Sequence, residues 1–221
     1  MTDERRIAPA RRRGLADEVA DRIREAIFAG VYAPGAQLRE VELSGALDVS
    51  RGPVREALLR LEVEGLVRSA WHRGATVTAL SDRDVTELDS LRGALEHLAV
   101  QQVVTGASDD DIASIERAAD RMARAEDEHD MVRRDIEFHD SVYAAARHRR
   151  LEEAWQAIRS QVHLFLLTRI GRDSRDYLSH VADEHRDLVA ALRARDADRA
   201  LVLFAAHRRH AFDVLIGGAG Q

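Results

Sequence analysis

From Ser81 to Ile216 the apolar residues recur at intervals of three and four and no alternating stretch interrupts them, which confines this part of the chain to packed α-helices. Ser81 stands as the N-cap of a first segment carrying Leu88, Leu91, Leu95 and Leu98. Gly106 and Ser108 separate it from a second segment over about 109–127. Helical patterns follow near 130–146, 149–170, 176–194 and 197–216, with caps or breaks at Asp130, His148-Arg149, Gly171 and Asp196. About six helices of these lengths predict an antiparallel bundle over 81–216, whose interior can house a ligand or a metal. Residues 217–221 read as a flexible tail, and no internal repeat is evident.

The front of the chain is built differently. Apolar residues at 15, 19, 23 and 27 mark one helical face, which Gly30 and the Tyr32-Ala33-Pro34-Gly35 turn bring to an end. A short helix is expected from about Arg39 to Leu47, with Val41, Leu43 and Leu47 apolar. Ser50 is a good N-cap for a third helix, which tolerates Pro53 in its first turn and carries Val54, Leu58, Leu61 and Val63 before Gly65. In LVRSAWHRGATVTAL, β-branched and aromatic residues flank His72-Arg73-Gly74, the pattern of a small hairpin with glycine at its tip. Three helices and a hairpin in this order describe a winged helix-turn-helix over 15–80, preceded by a disordered basic arm over 1–14.

Arg51 and Arg55 lie one turn apart on a face free of Val54, Leu58 and Leu61. A helix opening in this way can lay its first turns in the major groove, where arginine pairs bidentately with guanine or clamps phosphate. Arg60 lies too far along and is expected to pair with a nearby Glu. The plainer alternative for all three is a solvated face of Arg–Glu pairs. Charge is uneven in the sense that favours the front: residues 1–80 hold thirteen Arg against twelve acids, whereas 81–221 hold twenty against twenty-seven. All 33 basic residues are Arg, which codon bias explains as well as phosphate recognition does.

The bundle's informative residues are the polar ones on its apolar stripes. One inward stripe runs Val132, Ile136, His139, Val142/Tyr143 and Ala146, and Asp135, four before His139, shares that face. The next-to-last helix runs Val181, His185, Leu188 and Leu192; the last runs Ala200, Phe204, His207, Ala211 and Val214/Leu215. Buried polar groups are costly unless paired. Three imidazoles and one carboxylate meeting on a divalent cation satisfy one another, in a ligand set suited to zinc, nickel, manganese or iron. The competing reading for each is a core histidine bonded to a backbone carbonyl. His97, His163, His180 and His210 sit beside or off the stripes and read as surface or boundary residues, while His72, His129 and His148 fall at helix ends or in the hairpin. Arg92 borders the inward face of the first bundle helix, one turn before Glu96; its planar fork either receives a carboxylate or pairs with Glu96 on the helix surface.

With no cysteine, the chain has no disulfide, iron–sulfur cluster or thiolate-bound zinc. MTDERRIAPARRRG lacks the apolar core of a secretion signal, and no run of about eighteen apolar residues occurs, so a cytoplasmic, non-membrane protein is expected.

IFAGVYAPGAQLREVELSGALDVSRGPVREALLRLEVEGLV with HRGATV, then DIEFHDSVYAAA, DEHRDLVAAL and the closing FAAH, resemble the GntR family of bacterial transcription regulators in its FadR-like branch with an FCD effector domain. The resemblance spans roughly 15–215. It implies DNA contacts at Ser50, Arg51 and Arg55 and a wing tip at Arg73-Gly74, metal ligands at Asp135, His139, His185 and His207, and an effector-receiving Arg92. It further implies a homodimer on a near-palindromic operator of double-stranded DNA, a repressor more often than not, controlled by a small organic acid rather than an enzyme. Gly52 stands where the family usually has Thr, and His148 where it commonly has Asn. Three rivals stay open. A metal-dependent enzyme with an accessory DNA-binding domain would recruit Glu137 or Glu184 as general base. A TetR-like regulator would lack the wing. A regulator binding acyl chains would need no metal.

Overall fold

The computed structural model describes residues 14–70 and 74–216. The basic arm, apart from Gly14, lies outside the described residues, as do His72, Arg73 and the 217–221 tail.

Helix α1 (Leu15–Phe28) buries Ala16, Val19, Ala20, Ile23 and Ile27, while Leu15 is half exposed, so the inward stripe starts one residue later than expected. It stops at Gly30, whose φ of 75° favours glycine. Strand β1 (Gln37–Leu38), α2 (Glu40–Ala46), α3 (Arg51–Val63), β2 (Val67–Ala70) and β3 (Gly74–Val77) follow. The expected hairpin is present, with β2 and β3 paired antiparallel from Val67 opposite Val77 to Ala70 opposite Gly74. It gains a third strand: β1 pairs with β3, Leu38 opposite Ala75, giving the order β1-β3-β2. Two residues are too few to leave an alternation in the sequence. Of the apolar residues noted in these helices, Val41 and Val63 are exposed at 65% and 89%. The α2 core contact is Leu43, and the α3 contacts are Val54, Ala57, Leu58 and Leu61. Arg60 pairs with Asp17 of α1 rather than with a Glu, because α1 crosses that end of α3.

The bundle consists of α4 (Asp82–Gly106), α5 (Asp109–Met122), α6 (Glu128–Ala145), α7 (Arg149–Arg193) and α8 (Ala197–Ile216). Ser81 and Ser108 open α4 and α5 through reciprocal caps with Asp84 and Asp111. The cap of α6 is Asp127, three residues before the expected Asp130, whose backbone N–H donates to it at 2.8 Å. Asp130 is left in the first turn, where it accepts from Arg134 at 2.7 Å. His148 takes the N-cap of α7, its Nδ1 accepting from Leu151 N–H at 3.1 Å, the duty an asparagine would perform there.

The helices expected over 149–170 and 176–194 form one element, and the break falls at Asp173 (φ −148°, ψ 89°) rather than Gly171. The rings of Trp155 and His185 lie 6.3 and 5.6 Å from that of His139. A straight helix would set residues 155 and 185 about 45 Å apart. The element therefore doubles back at Asp173, and its two limbs pack as separate helices of the bundle.

The inward face of α4 runs Val85, Leu88, Arg92, Glu96, Ala99, Val100 and Val103. Leu91, expected in that stripe, is exposed at 48%, and Leu95 and Leu98 are only partly buried. The face follows the charged pair because Arg92 and Glu96 find partners inside.

The two cores meet along the first limb of α7. Leu164 packs into the helix-turn-helix core, Ser160 donates to Glu64 at 3.3 Å, and Glu64 is gripped by Arg24 of α1. His163, expected at the surface or boundary, is buried at 2% exposure and stacks on Phe28 with ring centroids 3.6 Å apart. Both of its ring nitrogens lack a hydrogen-bond partner among the described residues.

Candidate functional site

The bundle brings together the four residues expected to converge. Asp135 and His139 from α6, His185 from the second limb of α7 and His207 from α8 are all buried, and one ligand atom from each lies within 4.8 Å of every other. The Asp135 Oδ1 is 3.3 Å from His139 Nε2 and 3.4 Å from His185 Nε2. Oδ1 of Asp135 and Nε2 of His185 are sealed from solvent with no hydrogen-bond partner among the described residues. A folded chain rarely leaves facing polar atoms unsatisfied in its core. The donor set fits a divalent cation, which would satisfy both atoms at once.

Outer partners orient each ligand. His185 donates through Nδ1 to the Val181 carbonyl at 2.7 Å, which leaves Nε2 as the lone-pair atom turned to the cluster. His207 Nδ1 lies 2.7 Å from Glu184 Oε2, and His210 Nδ1 lies 2.8 Å from the other oxygen of Glu184. The Tyr177 hydroxyl donates to Asp135 Oδ2 at 2.7 Å, leaving Oδ1 for the cluster. Burial opposes the charge of Asp135, yet His185 and His139 outweigh it and hold the carboxyl well below its usual range. Burial, reinforced by Arg92, pushes His139 down to about 4, so its imidazole is neutral with a free lone pair at neutral pH.

Arg92 pairs with Glu96, as one of its alternatives held, but the pair is in the core and not on the helix surface. Its Nε donates to Glu96 Oε1 at 2.7 Å and its Nη2 donates to His139 Nε2 at 2.8 Å. Arg208 of α8 closes the network, 3.1 Å from Glu96 and 3.0 Å from Asp89. Sequence reasoning missed Tyr177 and Arg208. Each lies within a helix whose inward polar partner comes from another helix, so no spacing in the sequence announces either. Glu184 was visible only as a carboxylate one residue from His185.

On the opposite domain, Ser50 holds the N-cap position of α3, exposed, and its hydroxyl makes no capping bond. Arg51 and Arg55 are exposed as expected, and both donate to Glu40, the first residue of α2. These residues, with Arg39, Ser69 and Gly74, border a groove of about 580 Å³ between the two helices and the sheet. Gly74 opens β3 with φ 75°. Among the described residues no helix is long and apolar enough to cross a membrane.

The chain thus joins a winged helix-turn-helix, a DNA-binding motif, to an all-helical domain with a polar centre in its core, the build of a transcription regulator. Residues 15–77 match the bacterial regulatory proteins of the gntR family, and residues 87–210 match the FCD domain: the chain belongs to the GntR family, in the branch that carries an FCD domain. It is 30% identical to the Nta operon transcriptional regulator of Aminobacter aminovorans, over 84% of this chain and 87% of that one. It is 25% identical to the gluconate operon transcriptional repressor of Bacillus subtilis, over 86% and 79%. A crystal structure of a GntR-type protein from Rhodococcus sp. RHA1 superposes with a TM-score of 0.81 at 27% identity, covering 91% of this chain and 97% of that one.

Proposed function

We propose that the chain is a sequence-specific, metabolite-responsive repressor that binds a near-palindromic operator as a homodimer. In this reading Ser50, Arg51, Arg55 and the wing at Arg73-Gly74 contact DNA. Asp135, His139, His185 and His207 hold a divalent metal such as zinc, nickel or manganese, and Arg92 receives a small carboxylate effector. The regulator part rests on the family match, and the observation that carries the metal part is the pair of facing, sealed, unsatisfied ligand atoms on Asp135 and His185. A bound divalent cation supplies a Lewis-acidic point at which a carboxylate oxygen can rest.

The chain's own groups do the rest. Val181, Glu184 and Tyr177 fix the tautomers and lone pairs of three ligands. His139 Nε2 has one lone pair, and Arg92 now donates into it. Were His139 to hold a metal, that donor would be free to turn to a carboxylate while Arg92 Nε keeps its hold on Glu96. Effector capture thereby changes the packing of α4 against α6 and, through the α7 limb that touches α1, biases the orientation of the DNA-binding domains. A coupling of about 1–3 kcal/mol suffices for regulation.

A binding role is favoured over an enzymatic one by two features. The matching relatives cited above are transcription regulators. The carboxylates nearest to a general base's place are also engaged, Glu184 by His207 and His210 and Glu137 by Arg133. Metal content and calorimetric metal titration of wild type and His185→Ala test the reading. Stoichiometric metal in wild type and at least tenfold weaker binding in the variant are expected; equal affinity for both overturns the site.

A further inference from the structure

Glu40 sits where α2 begins, and its carboxylate takes three hydrogen bonds from the two arginines that face the groove. Arg55 donates Nε to Oε1 at 3.2 Å and Nη2 to Oε2 at 3.0 Å; Arg51 donates Nη2 to Oε2 at 3.0 Å. A guanidinium has two edges that can grip a planar acceptor pair. The side edge is Nε with one Nη; the end edge is the two Nη groups together. Glu40 fills the side edge of Arg55 and leaves its end edge pointing away, without a partner among the described residues, with Arg55 62% exposed. A free end edge is what reads O6 and N7 of guanine from the major groove. Glu40 itself is only 28% exposed, and it spans from α2 to α3, so it is a support for the arginines rather than a loose surface partner.

The same carboxylate acts in the opposite sense on random DNA. Phosphate oxygens attract a guanidinium through charge and accept at either edge. An anion already seated on both arginines cancels one of their two charges and occupies one of the two edges of Arg55 at which a phosphate could bind.

We propose that Glu40 is a positioning residue for sequence recognition: acting through Arg51 and Arg55, it strengthens guanine readout and weakens phosphate clamping, so it sets the ratio of operator to random-DNA affinity. The inference rests on the DNA-binding reading above and extends it to a residue outside the recognition helix.

The test uses the full chain, a labelled 30-base-pair duplex recovered by the wild type from a random-sequence library, and a scrambled duplex of equal length. Binding is read by fluorescence anisotropy across a salt series. Glu40→Gln is expected to bind the scrambled duplex up to about 60-fold more tightly at 0.1 M salt, with a log–log salt slope steeper by about 1.8, as one further effective cation in each protomer of a dimer requires. Its affinity for the recovered duplex should not rise in step, so the specificity ratio falls several-fold or more. Glu40→Asp keeps the charge but not the reach. It should retain the wild-type salt slope on scrambled DNA while losing part of the ratio. In an Arg51→Ala, Arg55→Ala background, Glu40→Gln should leave the scrambled-duplex slope unchanged. The inference is overturned if Glu40→Gln keeps both the wild-type slope and the wild-type ratio, or if it weakens both duplexes equally. A wild type that recovers no common sequence defeats the DNA-binding reading and this inference with it, an outcome distinct from a selective wild type with an indifferent Glu40→Gln.

Discussion

Replacing His163 by phenylalanine should stabilise the protein, and more so as the medium becomes acidic. His163 lies at the junction of the two cores, stacked on Phe28, with neither ring nitrogen hydrogen-bonded among the described residues. An unsatisfied buried donor or acceptor costs roughly 1–3 kcal/mol. Phenylalanine removes both and keeps the ring stack. Its extra bulk has somewhere to go, because His163 and Phe28 line a cavity of about 340 Å³ that Glu25, Asp127, His129 and Arg133 also border. A gain of about 1–3 kcal/mol at pH 7 follows. Burial, aided by Arg159, pushes the imidazole from 6.5 down to about 3. A histidine depressed on folding binds its proton more readily when unfolded. Its contribution is therefore complete above pH 6.5 and is lost as pH falls toward 3, at up to about 1.4 kcal/mol per pH unit. Between pH 7 and 5 the wild type should lose about 2 kcal/mol that the variant keeps. Urea unfolding of both proteins at the two pH values, at one protein concentration, reads the difference directly. A variant less stable than wild type at pH 7, whose deficit does not shrink at pH 5, would refute the reasoning.

Other expected outcomes address the two functional regions. Glu184→Gln leaves the four cluster residues in place but loosens His207, and should weaken metal binding by about 10–100-fold in a chelator competition. Gly52→Thr meets open space, since a Cβ there has nothing within 4 Å. It should be tolerated within about 0.5 kcal/mol by thermal unfolding, and its added hydroxyl should tighten binding to scrambled duplex. Gly30→Ala places a methyl against the His129 ring at a φ of 75°, and should cost at least about 1–2 kcal/mol of unfolding free energy.

How much of this was legible without coordinates depended on contrast. His139, His185 and His207 stood out because each interrupts an otherwise apolar stripe, and Asp135 because it lies one turn from His139. His163 did not. It sits in VHLFLL, where Val162, Leu164, Phe165 and Leu166 are buried on every side because that limb of α7 is wrapped by both domains. A helix sheltered all round has no polar face against which a misplaced histidine shows. A different limit hid the burial of the Arg92–Glu96 pair, whose i,i+4 spacing is equally that of a solvated pair. The turn at residue 173 was misplaced by two positions because glycine is the stronger signal, yet it is the aspartate that leaves helical geometry.

That turn has a mechanical consequence. One limb of α7 ends its path beside the four-residue centre with His185, and the other rests on the DNA-binding domain with Ser160, His163 and Leu164. The limbs are two arms of a single bent rod, and a displacement of either arm has only the elbow at Asp173 in which to be lost before the other arm feels it.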